Sequence, residues 1–223
     1  MAKYKNTDLI FKDRTHAGEI LAQNLLSYKL KDPVVIALPR GGVQVAKSIA
    51  NKLGGKLDIM VSKKIGAPEN PELAIGAVTS HGDYVISSYV ESMSNLNLQG
   101  KQKWDYLQNQ IVYLIKDCKE REKKYLCRDA PLERLYTGQN IILVDDGTAT
   151  GMTAMAAIKS IKKQNPLFIV LAIPVISFQA YDELEKQVNK IEALKIPRDF
   201  IAVGVHYEDF TAVTDEEMKA LLV

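Results

Sequence analysis

Short apolar segments alternate with segments of helical periodicity along most of this chain, and no other feature constrains the fold as much. The apolar segments are typical of strands buried on both faces of a sheet, and the clearest are VVIAL at 34–38, NIILV at 140–144 and LFIVLAIPV at 167–175. Helical spacing of apolar residues occurs in the ranges 15–30, 43–53, 97–127, 151–164 and 177–187. Strands that alternate with helices predict an α/β protein with a parallel sheet covered by helices on both faces.

Weaker patterns complete the predicted order of elements. We expect further strands at LDIMVSK (57–63), LAIGAVT (73–79), DYVIS (83–87) and FIAVGV (200–205), and a loop at KIGAPENPE (64–72). Thr214 followed by Glu217 is a capping box that predicts a last helix. Because no internal repeat or low-complexity linker divides the 223 residues, we expect a single domain, 1–223.

The charge balance restricts the classes of partner. Lys and Arg number 29 and Asp and Glu 27, a formal net charge of +2, so nothing favours nucleic acid or an anionic membrane as a partner. The chain has no apolar run of about 18 residues, and its polar start is unlike a signal peptide, which predicts a cytoplasmic protein. Cys118 and Cys127 lie in a charged helical segment, where we expect reduced thiols rather than a disulfide.

The most informative motif is DDGTATGMT at 145–153, directly after a predicted strand. A helix that begins near Gly151 presents free backbone N–H groups to an anion, and small residues let a phosphate approach, with hydroxyl donors at Thr148, Thr150 and Thr153. Asp145 and Asp146 would repel a phosphate, but they suit the hydroxyl groups of a sugar or a Mg²⁺ ion. The motif therefore predicts a sugar phosphate as ligand; the alternative is an ordinary turn followed by the start of a helix.

Residues 141–153 resemble the phosphoribosyl pyrophosphate (PRPP) signature of type I phosphoribosyltransferases. Four apolar residues precede two acidic ones, four mostly small or apolar ones and Thr-Gly-x-Thr, with Gly147 where many members have Ile or Val. The resemblance extends from about residue 8 to the C-terminus, to a bacterial stand-alone family of unassigned substrate, in the blocks ALPRGGVQVA (37–46), KKIGAPENPELAIGAV (63–78) and AVGVHYEDF (202–210).

This resemblance implies a core of parallel strands with helices on both sides and a smaller part, the hood, built mainly from about 175–223. It implies that the aspartates hold the ribose and the loop after them its 5′-phosphate, a PRPP site of Asp145, Asp146, Gly147, Thr148, Ala149, Thr150, Gly151, Met152 and Thr153. It also assigns the pyrophosphate to Arg40, Gly41 and Gly42, since pyrophosphate suits bare backbone amides and an arginine fork. The alternative for Arg40 is a surface side chain in a glycine turn.

The remaining site residues are expectations from the same resemblance. A mobile loop at 63–72 is expected to close over PRPP with Lys64, or secondly Lys63, as its cation; both could instead be solvated. Glu208 and Asp209 are expected to join Asp145 and Asp146 as Mg²⁺ ligands, with a turn or capping role as the alternative for Asp209. The expected contacts to a base are Phe200, His206 and Tyr207, with packing as the alternative for Phe200 and a structural role for His206.

The resemblance implies an enzyme that moves the ribose 5-phosphate of PRPP to a nitrogen acceptor, a nucleobase by expectation, as in salvage. It further implies Mg²⁺ as cofactor, pyrophosphate as the leaving group and a homo-oligomer. Enzymes for hypoxanthine and guanine usually have an acid where this chain has Ala149, which counts against those bases and leaves the acceptor open. The alternative function is a regulatory protein that binds PRPP with little or no catalysis.

Overall fold

The computed structural model describes residues 9–87, 90, 101–126 and 136–222. The α-helices are α1 (Arg14–Leu25), α2 (Gly41–Leu53), α3 (Lys101–Leu126), α4 (Met152–Lys162), α5 (Phe178–Glu185) and α6 (Asp215–Leu222). The strands are β1 (Val34–Ala37), β2 (Lys56–Ile59), β3 (Ser62–Gly66), β4 (Ala74–Thr79), β5 (Tyr84–Ile86), β6 (Asn140–Val144), β7 (Phe168–Val175) and β8 (Lys190–Lys195). Short 3₁₀ helices span Leu26–Tyr28 and Gly204–His206. Within this described part, no helix is long and apolar enough to cross a membrane.

Five parallel strands form the central sheet in the order β2-β1-β6-β7-β8. Alternate residues of β6 face two separate cores: Ile142 and Val144 pack on the side of α1 and α2, whereas Ile141 and Leu143 pack on the side of α4 and α5. Both faces of the sheet are therefore buried, as the continuous apolar runs predict. The α/β class with a parallel sheet covered on both sides is confirmed.

The single strand predicted at 57–63 is wrong, because the chain changes sheets in the middle of it. β2 pairs with β1 in the parallel sheet, and β3 pairs with β4 in an antiparallel sheet of order β3-β4-β5. Between them Met60 donates its N–H to Ala37, and Val61 accepts from Ser80. Met60 and Val61 are both buried, so the apolar run continues through the break and hides it.

The loop predicted at 64–72 begins too early. Lys63 and Lys64 lie in β3, opposite Val78 and Ala77 of β4, and the connection to β4 covers only 67–73. Gly66 ends the strand where a β-carbon would lie 2.5 Å from the carbonyl oxygen of Pro71. The close return of the chain at this glycine therefore shortens the loop.

The last strand predicted at 200–205 is also wrong. These residues pair with no strand of the described part and run into the 3₁₀ helix Gly204–His206, and Ile201 is 82% exposed. The fifth position in the sheet belongs instead to β8, an edge strand whose sequence KIEALK carries three charged residues. Charged side chains are common on edge strands, and here they hide the apolar alternation that would have predicted a strand.

The segment after β8 returns to the carboxyl end of the sheet. Phe11 donates its N–H to His206 and accepts from Glu208, which pairs this segment with the start of the chain. The predicted capping box is confirmed: Thr214 donates its N–H to Glu217 Oε2 at 2.8 Å, and Glu217 donates back to Thr214 Oγ1 at 3.2 Å. The chain ends thus meet over the edge of the sheet where ligands bind in this class of fold.

The two cysteines were expected to be reduced. Cys118 is a free, buried thiol in α3, where burial raises its pKa to about 12. Its thiol is thereby kept protonated and inert. Cys127 lies outside the described residues.

Candidate active site

Asp145 and Asp146 follow β6 directly, at the middle of the sheet's carboxyl edge. Asp145 Oδ1 accepts the N–H of Asp146 at 2.9 Å. Burial, and then the negative charge of Asp146, raise the pKa of Asp145 well above its usual range, and the positive charge of Lys64 opposes the rise. The pair is therefore a concentration of negative charge that a cation or a set of hydroxyl donors would stabilise.

The predicted pyrophosphate loop packs directly against these carboxylates. A β-carbon on Gly41 would lie 1.9 Å from Asp146 Oδ2, and one on Gly42 would lie 3.0 Å from the carbonyl oxygen of Val144. Both glycines begin α2. The sequence motifs at 40–42 and 145–146 thus meet in space, and the glycines serve this close approach as well as any ligand.

Arg40 precedes α2 as its N-cap residue, and its peptide bond with Pro39 is cis. Its side chain is 46% exposed and lies 3.4 Å from Asp215 Oδ1 at the start of α6. Asp215 also accepts from Lys124 at 2.8 Å. An exposed ion pair of this kind contributes little to stability, so the guanidinium can exchange Asp215 for a ligand anion.

The loop after the aspartates is shaped by its own hydrogen bonds. Thr148 is buried, donates its N–H to Val175 and accepts the N–H of Gly151 at 3.0 Å. Ser177 Oγ donates to the carbonyl of Ala149 at 2.5 Å. Gly151 has φ +70° at the N-cap of α4, a conformation that glycine adopts without strain. Thr148, predicted as a ligand donor, therefore also builds the loop.

The loop leads into a helix N-terminus that can receive an anion. Ala149 and Thr150 are exposed, and α4 begins at Met152, followed by Thr153. The first N–H groups of a helix have no acceptor within it, and the helix dipole is positive there. The amides of Met152 and Thr153 are thus placed to bind a phosphate.

Gly147 leaves room for a side chain from a distant segment. A β-carbon there would lie 2.3 Å from Val203 Cγ1 and 2.9 Å from Val175 Cγ1. Val203 precedes the 3₁₀ helix of the C-terminal segment. The departure from Ile or Val at position 147 is therefore matched by a valine that fills the same space.

The two candidate lysines have different surroundings, because successive side chains of a strand point to opposite faces. Lys63 Nζ is 2.7 Å from Asp117 Oδ2 of α3. Lys64 is exposed, and its charge acts on Asp145. Of the two, Lys64 is the one associated with the carboxylates.

The residues predicted to contact a base are placed unequally. Tyr207 is buried, donates its hydroxyl to the carbonyl of Asp146 at 2.6 Å and packs against Phe11 and Phe210. Its role in the described structure is thus to support Asp146 rather than to expose a ring face. Phe200 is half-buried, and its ring lies 6.1 Å from that of His206.

His206 has a buried ring atom, Nε2, without a hydrogen-bond partner in the described part of the chain. Burial, and then the charge of Lys195, lower its pKa. The neutral imidazole is therefore favoured. Nε2 therefore lacks the hydrogen bond that most buried polar atoms have.

Glu208 and Asp209 are exposed, and their backbone N–H groups pair with Phe11 and Lys12. The Asp209 carboxylate accepts the N–H and the hydroxyl of Thr211 at 2.9 and 2.6 Å, which lowers its pKa. Over the ranges that the structure describes, no three His, Cys, Asp or Glu residues are arranged to hold a metal. The predicted set of four carboxylate ligands is not brought together, whereas Asp145 and Asp146 remain adjacent.

Arg14 is the residue that sequence reasoning missed. It is the first residue of α1, and its Nε lies 2.7 Å from Asp146 Oδ2. The signal was present: Arg14 falls on the buried stripe of α1 with Ala17, Gly18, Leu21, Ala22 and Leu25. A charged residue on an apolar stripe requires a partner, although the sequence does not say which one.

Comparisons with known proteins agree with this geometry. The model of the phosphoribosyl transferase domain matches residues 7–209. A protein of Mycobacterium tuberculosis, found in two strains and provisionally named as a phosphoribosyl transferase, is 36% identical over 214 residues, which are 96% of this chain and 46% of that protein. This chain therefore spans about half the length of the curated relatives it matches.

A solved structure supports the same conclusion. The crystal structure of TT1426 from Thermus thermophilus is 38% identical, with a TM-score of 0.78 over 96% of this chain and 98% of that one. With a family model that extends over most of its length, this chain belongs to the phosphoribosyl transferase domain family.

Proposed function

We propose that this protein transfers the ribose 5-phosphate of PRPP to a nitrogen acceptor, with Mg²⁺ and with release of pyrophosphate. The observation that carries the proposal is the meeting of Gly41 and Gly42 with Asp145 and Asp146, beside the N-terminus of α4. A pyrophosphate loop, a pair of ribose-binding carboxylates and a phosphate-binding helix end are then side by side. PRPP has these three parts in the same order.

Each part of the site has a separate task in this proposal. The α4 amides and Thr150 and Thr153 bind the 5′-phosphate, and Asp145 and Asp146 accept hydroxyl groups of the ribose. Arg40 leaves Asp215 to bind pyrophosphate, with Lys64 as a second cation. Asp145 and Asp146 would hold Mg²⁺, since two carboxylates suffice for an ion that takes its other oxygens from substrate and water. When bound, the ion would supply positive charge that stabilises the leaving pyrophosphate.

The chemistry requires positioning and charge stabilisation. The bond between C1 of the ribose and the pyrophosphate oxygen breaks, and its electron pair leaves with pyrophosphate. The lone pair of the acceptor nitrogen forms the new bond to C1, and the nitrogen loses its proton to water or to the released pyrophosphate. Positive charge at C1 and negative charge on the leaving group are stabilised by fixed groups of the site.

We further propose that the segment after β8 acts as the hood and that a nucleobase is the acceptor. Phe200 offers a partly exposed ring. His206 Nε2 is buried and unpaired among the described residues, so it would contact a base only if this segment shifts when the base binds. Ala149 is exposed in the phosphate loop and cannot accept a proton from a purine imidazole edge. General acid–base assistance is typically worth about 10²–10⁴-fold, so we expect weak activity with hypoxanthine and guanine.

The test is pyrophosphate release from Mg²⁺–PRPP across adenine, hypoxanthine, guanine, xanthine, uracil and orotate. Release that depends on one base, and that is lost in Asp145→Asn/Asp146→Asn, is the expected result. Rates with hypoxanthine or guanine typical of a salvage enzyme would contradict the argument from Ala149. PRPP binding by calorimetry without turnover of any base would favour the regulatory alternative, and absence of both would contradict the proposal.

A further inference from the structure

A buried arginine connects three distant parts of the chain next to the carboxylate pair. The side chain of Arg14 is 7% exposed. Its Nε donates to Asp146 Oδ2 at 2.7 Å, and its Nη1 donates to the carbonyl of Thr211 at 2.8 Å. Its guanidinium carbon lies 3.9 Å from the centre of the Phe210 ring. The start of α1, the end of β6 and the C-terminal segment thus meet at one side chain.

These contacts use properties that only arginine has. The planar guanidinium donates along two edges at once while its face lies on an aromatic ring. A lysine ammonium could reach one of the two acceptors but could not repeat this arrangement. Gly41 keeps the space open, since a β-carbon there would lie 2.7 Å from Arg14 Nε. The ion pair of Arg14 with Asp146 therefore depends on two helices: α1 supplies the arginine, and Gly41 of α2 leaves space for it.

We propose that Arg14 is a positioning residue, which holds the Asp146 carboxylate in the orientation that accepts a ribose hydroxyl. The inference rests on the proposed function, since it takes the ribose of PRPP as the ligand of Asp146. Arg14 commits Oδ2 and fixes the plane of the carboxylate, so the hydroxyl meets the other oxygen. Groups that orient a ligand-binding side chain in this way commonly affect affinity without touching the ligand.

The competing explanation is a role in the fold alone. A buried ion pair is weak evidence for stability, but Arg14 also joins the two ends of the chain and could serve only that purpose. The two explanations predict different effects on ligand affinity. A positioning role affects ligands that contain ribose, whereas a role in the fold affects every ligand of the site alike.

The experiment compares Mg²⁺–PRPP with pyrophosphate in the absence of Mg²⁺ by calorimetry, because Asp146 is itself a proposed Mg²⁺ ligand and an effect through the metal would otherwise reach both ligands. With Arg14→Gln we expect affinity for PRPP to fall about tenfold or more, as for a hydrogen bond to a charged group. Affinity for pyrophosphate, which has no ribose, should stay within about twofold. The matched control is Lys186→Gln, which removes a cation from an exposed pair with Asp182 on α5 and should change neither affinity. Equal losses for both ligands, or no loss for PRPP, would overturn the inference.

A double-variant cycle tests the route through Asp146. Asp146→Asn should lower PRPP affinity, and adding Arg14→Gln to it should cause little further loss, because the two residues then act as one unit. Additive losses would show that Arg14 acts elsewhere. If Arg14→Gln has no cooperative unfolding transition, Arg14→Met removes both hydrogen bonds with a side chain of similar length and gives the same comparison of ligands.

The wild-type protein separates this inference from the proposed function. If the wild type does not bind Mg²⁺–PRPP, both are overturned. If the wild type binds PRPP and the Arg14 variants bind it equally well, only the role of Arg14 is overturned.

Discussion

At the scale of single residues, Asp145 is an acid whose ionised form is destabilised by its surroundings. Burial and the neighbouring carboxylate of Asp146 raise the pKa of Asp145 above its ordinary value of 3.8. An acid whose pKa is higher in the folded state lowers stability when it ionises. The free energy of unfolding therefore falls as the pH rises from the pKa of Asp145 in the unfolded chain to its higher pKa in the folded protein. Such a cost is expected where a group is retained for a ligand.

The first prediction follows from this cost. Asp145→Asn should raise the free energy of unfolding of the free protein at pH 7 by about 0.5–2 kcal/mol, the range typical of single stabilising changes. The same change should weaken Mg²⁺–PRPP binding. Denaturant unfolding and calorimetry measure the two effects, with Asp182→Asn on exposed α5 as the control that should show neither. A variant that is less stable than the wild type would contradict the assignment of an unfavourable charge at this position.

Residues of the site differ in how far the sequence could identify them. Asp145 and Asp146 could be predicted because their chemistry is contained in one continuous motif. The close approach of Gly41 to Asp146 could not, since a glycine pattern does not state what fills the space beside it. Arg14 lies 132 positions from Asp146, and no local pattern relates residues at such a separation.

At the scale of elements, β7, the loop 145–151 and the C-terminal segment pack together at Gly147. The β-carbon position of Gly147 is 2.3 Å from Val203 and 2.9 Å from Val175. A side chain at 147 and the valine at 203 therefore exclude each other. This contact explains how the loop can have glycine at position 147 without a cavity beside it.

The second prediction tests whether a side chain at position 147 and Val203 compete for the same space. Gly147→Val should lower the free energy of unfolding by about 1–3 kcal/mol, as overpacking of a core typically does. Gly147→Val/Val203→Ala should recover part of the loss, because the alanine vacates the space beside Val203. The rest should remain, since Val175 Cγ1 still lies 2.9 Å from the new β-carbon and Gly147 has φ +158°. Urea unfolding of the two single variants and the double variant completes the cycle. Additive effects of the two substitutions would show that these positions do not compete.

The elements of the parallel sheet were predictable where burial gives a continuous apolar run, as in β1, β6 and β7. The sequence could not show the break between β2 and β3, since Met60 and Val61 remain buried across it. It also could not show β8, whose charged residues suit the edge of a sheet rather than its middle. Pairing partners decide both cases, and pairing is not visible in a local pattern.

At the scale of the whole molecule, the site is assembled from segments that are far apart in sequence: 11–14, 40–42, 145–153 and 207–211. The first and last of these are joined by main-chain hydrogen bonds of 2.9 Å from Phe11 to His206 and 2.7 Å from Glu208 to Phe11. A ligand that contacts 40–42 and 145–153 is therefore supported indirectly by 11–14 and 207–211. Arg14 and Tyr207 both hydrogen-bond to Asp146. A ligand that binds Asp146 should therefore also stabilise the segments 11–14 and 207–211.

The last prediction concerns which segments respond to Mg²⁺–PRPP in hydrogen exchange. β3 pairs with β4, and its paired amides should exchange slowly with or without ligand. Of the mobile loop predicted at 63–72, we therefore expect only the connection 67–73 to respond to the ligand. That connection is held by a few turn hydrogen bonds, such as Ala67 to Leu73 at 2.9 Å, and Leu73 is exposed. Segments with few buried contacts open easily, and closure over PRPP should slow their exchange.

The expected result is slower exchange at 41–43, 67–73 and 149–153 on adding Mg²⁺–PRPP, and no change in α5. Asp145→Asn/Asp146→Asn, which should not bind the ligand, serves as the matched control and should show no slowing. Protection at 149–153 without any at 67–73 would mean that the connection does not close over the ligand. Because the first and third of these segments belong to different sequence motifs, their joint protection would also show that both motifs contact one molecule of PRPP.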